Sequence, residues 1–204
     1  MRISEQRYTK DRRALDVATR LIDFEARTGT IRALTGLADD RIRKLSKSCG
    51  ADGSPTSTPR HRGSSPRRVS HILGKSQSKR EAAALLGVCQ LMGITSELRQ
   101  PERDPAPNRV ARTEQLCDAF WTFRYLLPQS SISFEHMLLL LAEVTKGEEM
   151  AATHCVDCNA LLVVDILSLY SSLCPHCAQL PTMQRRSRST AAYRCVAEEA
   201  PTYL

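Results

Sequence analysis

Long apolar runs are missing from this chain: the longest, residues 137–142, stays far short of the roughly 20 residues that a membrane-spanning helix requires. Aromatic residues are scarce at 5 %, and runs of β-branched residues are few, which points to an α-rich fold held together by Leu, Ala and Met. No HExxH, no glycine-rich phosphate loop and no paired nucleophile and base stand out, so the chain is not expected to be an enzyme. An apolar secretory segment is also lacking, since residues 1–13 are charged throughout. The expected compartment is therefore the reducing cytoplasm, where thiols bind metal or lie buried rather than pair as disulfides.

What the chain does have is 204 residues, 42 % of them hydrophobic and 25 % charged, enough for one sizeable core or two small ones. Its formal charge of +7 is unevenly placed. Residues 1–80 carry 19 Lys or Arg against 8 Asp or Glu, a surplus of +11, whereas residues 81–204 carry 10 against 14, a deficit of −4. A basic half of this kind is a candidate polyanion surface, with a solvated face that binds nothing as the plain alternative.

Within that half, Leu15, Ala18, Leu21, Ile22 and Phe24 recur at helical spacing over residues 14–25. Gly29 is placed to close this helix and Thr30 to cap a second, short one from Ile31. The next residues fit the apolar template of a helix-turn-helix. Ile31 and Leu34 would face inward, Gly36 would take a positive-φ turn, Leu37 would plug the corner, and Ile42 and Leu45 would anchor the second helix. Arg41, Arg43, Lys44 and Lys47 then point outward as candidate contacts to double-stranded DNA. Asp39 and Asp40, at the head of that helix, oppose phosphate there unless Asp39 serves as an N-cap.

From Ser46 to Ser78 the period is lost among Gly, Ser, Pro and Arg, the composition of a linker or long basic loop. Ser78-Lys-Arg-Glu81 has the pattern of a capping box for a helix that ends at Gly93, with Cys89 on its apolar face as a buried, inert thiol. A further amphipathic helix carries Leu116, Ala119, Phe120, Phe123 and Leu127 and stops at Pro128. Ser133 then caps a strongly apolar helix, residues 134–146, closed by Gly147. Its four consecutive leucines, Leu138 to Leu141, call for burial against several neighbours or a partner subunit, and His136 reads as a satisfied core or rim histidine.

Eight cysteines are present, and four of them form two CxxC pairs: Cys155-Val-Asp-Cys158 and, fifteen residues later, Cys174-Pro-His-Cys177. This spacing suits one tetrahedral Zn²⁺, each pair reaching the ion from a tight turn and the spacer looping back. A redox CxxC would want a strand before it, a helix after it and one pair only, and a disulfide scaffold would want a secreted chain. Cys49, Cys89, Cys117 and Cys195 fall outside the pairs. Arg185, Arg186 and Arg188 follow the cysteines, either offsetting the charge of the thiolates or touching DNA.

With these residues laid out, the chain resembles the FlhC family of flagellar transcriptional regulators. The likeness is carried by Arg20-Leu-Ile-Asp-Phe-Glu-Ala-Arg-Thr-Gly-Thr-Ile-Arg-Ala-Leu-Thr-Gly-Leu-Ala-Asp-Asp-Arg-Ile-Arg-Lys-Leu45, the Gly/Ser/Pro loop, Ala119-Phe-Trp-Thr-Phe-Arg-Tyr125 and the four paired cysteines. It implies an α-helical zinc protein that assembles with an FlhD-like subunit, binds promoter DNA, activates flagellar operons and recruits RNA polymerase, with Cys155, Cys158, Cys174 and Cys177 as metal ligands. Val69-Ser-His-Ile-Leu-Gly74 stands where the family carries an aromatic-rich stretch.

The expected architecture is mainly α: a multi-helix domain with a C-terminal four-cysteine zinc module. Residues 14–50 form a basic helix-turn-helix part, 51–78 a loop, 79–150 a helical core, 151–182 the zinc module and 183–204 a basic flexible tail. The expected function is that of a DNA-binding transcriptional activator subunit. The alternatives are a zinc-stapled adaptor that binds only protein and an FlhC-like regulator of non-flagellar promoters.

Overall fold

The computed structural model describes residues 2–49, 69, 73–94, 109–166 and 173–179, which form seven helices and one two-stranded sheet. Among them α1 is Arg2–Asp23, α2 Thr28–Thr35, α3 Asp39–Cys49, α4 Ser76–Leu91, α5 Arg109–Leu126 and α6 Phe134–Lys146. Strands β1, Met150–His154, and β2, Leu161–Asp165, follow, and the short α7, Pro175–Gln179, comes last. The chain is mainly helical and carries its paired cysteines at the C-terminal end of the described residues.

α1, α2 and α3 pack on one another and, through α1 and α2, on α5; α4 lies against α5 and α6, and the hairpin rests on α4 and α6. Every helix from α1 to α6 contributes to a single apolar cluster, from Val17, Leu21, Ile31 and Ile42 through Leu85, Phe120 and Phe123 to Met137 and Leu140. All four phenylalanines meet there. Phe24 and Phe120 pack edge to face at 5.0 Å, Phe120 and Phe134 at 5.4 Å, Phe24 stacks on Phe134 at 5.8 Å, and Phe123 lies 6.2 Å from Phe120. Such pairs add about 0.5–1.5 kcal/mol each beyond the area they bury.

The helix-turn-helix geometry follows the apolar pattern. α2 and α3 are joined by Gly36, Leu37 and Ala38; Gly36 sits at φ 76, the left-handed region open to a residue without Cβ, and Leu37 and Ile42 are buried. The preceding turn differs from expectation. Gly29 and Thr30 lie inside α2, and the left-handed position after α1 is taken by Glu25, φ 59. There Glu25 N–H donates to Ile22 O and Ala26 N–H to Leu21 O, a Schellman closure two residues past the helix end. The residue that caps α2 comes from elsewhere in the chain: Arg27 N–H donates to the buried Glu135 Oε1 of α6 at 3.0 Å, so a tertiary carboxylate replaces the local threonine.

Two further expectations are revised. The capping box at Ser78 is not formed, because α4 starts at Ser76, one turn earlier than that pattern requires. Glu81 instead turns inward and accepts from Gln77 Nε2 and Ser130 Oγ, both at 2.8 Å. The basic loop is shorter than residues 46–78 suggested: α3 runs to Cys49, and Val69 and Leu73 are buried in the core, linked by Leu73 N–H to Val69 O. Of the two readings of the α6 leucines, burial against neighbouring elements is the one found: Leu140 and Leu141 are buried and Leu138 and Leu139 pack half-buried on the same core. Its cap is as expected, with Ser133 Oγ accepting from His136 N–H while His136 Nδ1 accepts from Ser133 N–H.

Candidate metal centre

The hairpin is the element that builds the site, and it has no counterpart in the sequence reading. Residues 150–154 pair antiparallel with residues 161–165 in the register Met150 to Asp165 through His154 to Leu161. The first CxxC is the loop between the two strands. Cys155 N–H donates to Ala160 O and Asn159 N–H to Cys155 O, both at 2.9 Å, and Asn159 takes the left-handed conformation, φ 57, that such a tight knuckle needs. Leu161-Leu-Val-Val was the available strand signal, a short apolar run rich in β-branched residues directly after the knuckle.

The second CxxC reaches the first from α7. Cys174 precedes the helix and Pro175 opens it, the position where the missing N–H of proline is harmless. Cys177 N–H then donates to Cys174 Sγ at 3.3 Å, and Cys174 N–H donates to Cys155 Sγ at 3.2 Å, so the two pairs are tied through their sulfurs. A helix does follow Cys174, as a redox CxxC would want, but it is short and both pairs converge on one point.

All four sulfurs lie within 4.8 Å of one another, Cys158 and Cys174 at 3.6 Å. A tetrahedral ion with sulfur ligands at about 2.3 Å spaces them about 3.8 Å apart, so the cage matches a four-thiolate metal ion. Cys155, Cys174 and Cys177 are buried with Leu162 and Leu173 packed on them, and Cys158 is the exposed member.

The electrostatics suit a cation. Burial of the Cys155 thiol opposes ionisation, but N–H groups of Cys174, Cys158 and Asp157 directed at the sulfur outweigh it and bring it down to about 6. Cys177 is pushed up, by burial first and then by the sulfurs of Cys158, Cys174 and Cys155. Cys158 is raised too, burial again leading. Without a cation, burial and the neighbouring sulfurs thus oppose ionisation at Cys177 and Cys158. An ion placed among the four would supply the missing counter-charge and displace the remaining protons.

The other expected site residues divide in two. Arg41, Arg43, Lys44 and Lys47 are all exposed on α3, but Arg41 pairs with Asp11 at 3.3 Å and Arg43 with Asp40 at 3.6 Å. Lys44 and Lys47 have no ion pair among the described residues. Asp39, at the start of α3, pairs with Arg32 at 3.3 Å rather than standing open. Arg185, Arg186 and Arg188 lie outside the described residues, as does Cys195. Cys89 and Cys117 are fully buried, and burial pushes each thiol up to about 12; at Cys117 the nearby Arg20 works against that rise, and Asp118 and Glu114 add to it. Both belong to the main core and not to the cluster around the cage.

Comparison with known protein families and with curated proteins found no match to this chain. Among the described residues, no helix is long and apolar enough to cross a membrane.

Proposed function

We propose that this chain is the DNA-binding subunit of a cytoplasmic transcriptional activator whose C-terminal module is stapled by one Zn²⁺. The observation that carries the reading is the α2–α3 pair. A short helix, a three-residue turn with Gly36 at positive φ and a second helix anchored by a fully buried Ile42 leave Lys44 and Lys47 free to meet phosphate, on the half of the chain with a surplus of +11. On the FlhC resemblance, the partner is an FlhD-like subunit, the targets are flagellar operon promoters, and the assembly recruits RNA polymerase. Zinc is the ion of choice for the cage because four cysteine ligands close a tetrahedral shell, which serves structure rather than catalysis.

The ion pairs of Arg41 and Arg43 favour a second reading, a zinc-stapled adaptor that binds only protein, because arginines held by their own carboxylates are less available to phosphate. Duplex affinity measured against salt separates the two. Each phosphate neutralised contributes about 0.9 to the slope of log affinity against log salt, so the regulator gives a steep line that Lys44→Ala with Lys47→Ala flattens by up to about 2. An adaptor shows no salt-dependent duplex binding at all.

A further inference from the structure

Along strand β2, beside the cysteine cage, runs a groove of about 630 Å³ whose other wall is the N-terminal half of α4. The face that α4 turns to it follows from the helical period: Ser76, Lys79, Arg80, Ala83 and Ala84 stand at i, i+3, i+4, i+7 and i+8, while Ala82, Leu85, Leu86 and Cys89 turn into the core. That face changes character along its length. Ser76, Lys79 and Arg80 are exposed at one end, and the two alanines that follow leave room where larger side chains would fill the space.

The opposite wall is the strand itself, every residue from Ala160 to Asp165, with Leu173 and Pro175 added from the side of α7. Leu161, Leu162 and Leu173 are half-buried and Val163 and Val164 buried, so the trough is aliphatic. No phenylalanine, tyrosine or tryptophan lines it among the described residues, which leaves nothing for a flat ring to stack on. A space of this size, mostly apolar with a few polar groups at its rim, has the dimensions of a small-molecule site. Its charge has one sign in excess. Lys79 and Arg80 carry no ion pair among the described residues, whereas Asp165, the carboxylate in the lining, ends the strand away from the cysteine knuckle and already has an interaction of its own.

We propose that this groove binds a single-chain amphipathic carboxylate, its aliphatic tail lying along β2 against Ala83 and Ala84 and its head at Lys79 and Arg80. A guanidinium takes a carboxylate through two parallel N–H donors, and the neighbouring ammonium adds a point charge. The tail supplies most of the affinity by leaving water, and the two cations choose the head. The inference is independent of the DNA-binding reading.

Titration calorimetry on the full chain with its metal bound, using amphiphiles below their micelle concentrations, tests it. Dodecanoate is expected to bind one to one and about tenfold more tightly than dodecyltrimethylammonium, which has a tail of the same length and the opposite charge. Shortening the acid to octanoate should weaken binding about fourfold for each methylene withdrawn from the trough. Lys79→Glu with Arg80→Glu should reverse the order of anion and cation. Ala84→Trp, at an exposed position of α4, should fill the trough and weaken both, while helical circular dichroism and metal content stay those of the parent. Binding that ignores the sign of the head, or that either variant leaves unchanged, overturns the proposal. So does a chain that binds neither amphiphile, the result expected if a second copy or another stretch of the chain covers the groove. Binding to phosphatidylglycerol vesicles without binding of free dodecanoate assigns the face to a membrane surface and also overturns it.

Discussion

At the scale of single residues, this chain satisfies buried polar groups at long sequence separation. Glu81 meets Ser130, and Glu135 meets the amide of Arg27, each carboxylate buried and each reaching a residue far away in sequence. Removing such an acceptor leaves a buried donor stranded, at a cost of about 1–3 kcal/mol. The two core thiols make a prediction about alkaline pH. Cys89 and Cys117 stay protonated in the folded chain up to about 12, whereas unfolded they ionise near 9. Over that window the unfolded state binds fewer protons, so stability falls as pH rises. Denaturant titrations from pH 8 to 11 should show a steeper decline for the parent than for Cys89→Ala with Cys117→Ala; parallel curves would show that the thiols do not contribute.

At the scale of elements, the cysteine module depends on two tight turns that hold sulfurs close together. Its own buried cluster is three cysteines backed by Leu162 and Leu173, too small to hold the knuckle and α7 together alone. The hairpin is different, because Met150 and Val163 belong to the main core. Chelation, or Cys158→Ser, is therefore expected to loosen residues 155–160 and 173–179 while the helical circular dichroism of α1 to α6 persists. Amide resonances over the knuckle read this out, and resonances that stay put without metal would show that the ion does not organise the module. Metal affinity should also fall as the medium becomes acidic, since each ligand must give up its proton to bind.

At the scale of the whole molecule, the N-terminal helices and the later ones share one core, so the surface that carries Lys44 and Lys47 is rigidly tied to the body that carries the cysteine cage. The leucine-rich α6 is used up inside that core, which removes it as a reason for a partner. Apolar exposure lies elsewhere, on Trp121, stacked at 5.6 Å on Tyr125, and on Leu126 beside them. Under the proposed function, co-expression with an FlhD-like subunit should yield a complex whose mass exceeds that of either chain and which binds its operator more tightly than this chain alone. Sedimentation and native mass measurement check this; a lone chain that binds its operator at about 10⁻⁸ M or tighter would remove the need for a partner.

Local signals in the sequence were enough to place α5 and α6, the turn at Gly36, the Ser133 cap and the set of four cysteines. Each rests on contacts within a few residues, or on a ligand spacing that a metal ion makes legible. Only the tertiary structure decided the rest. Gly29 gave way to Glu25 because the Schellman bonds of α1 set where the chain turns, and the Ser78 box failed because α4 starts at Ser76, which leaves Glu81 to meet Ser130 in the loop before α6. Val69 and Leu73 look like loop residues until a core forms to receive them. The hairpin escaped notice because a five-residue strand has no period long enough to stand out, and its identity comes from its partner strand and from α4 beneath it. Whether an arginine on α3 faces solvent or a carboxylate is likewise settled by the residues packed across from it, such as Asp11, thirty positions away from Arg41.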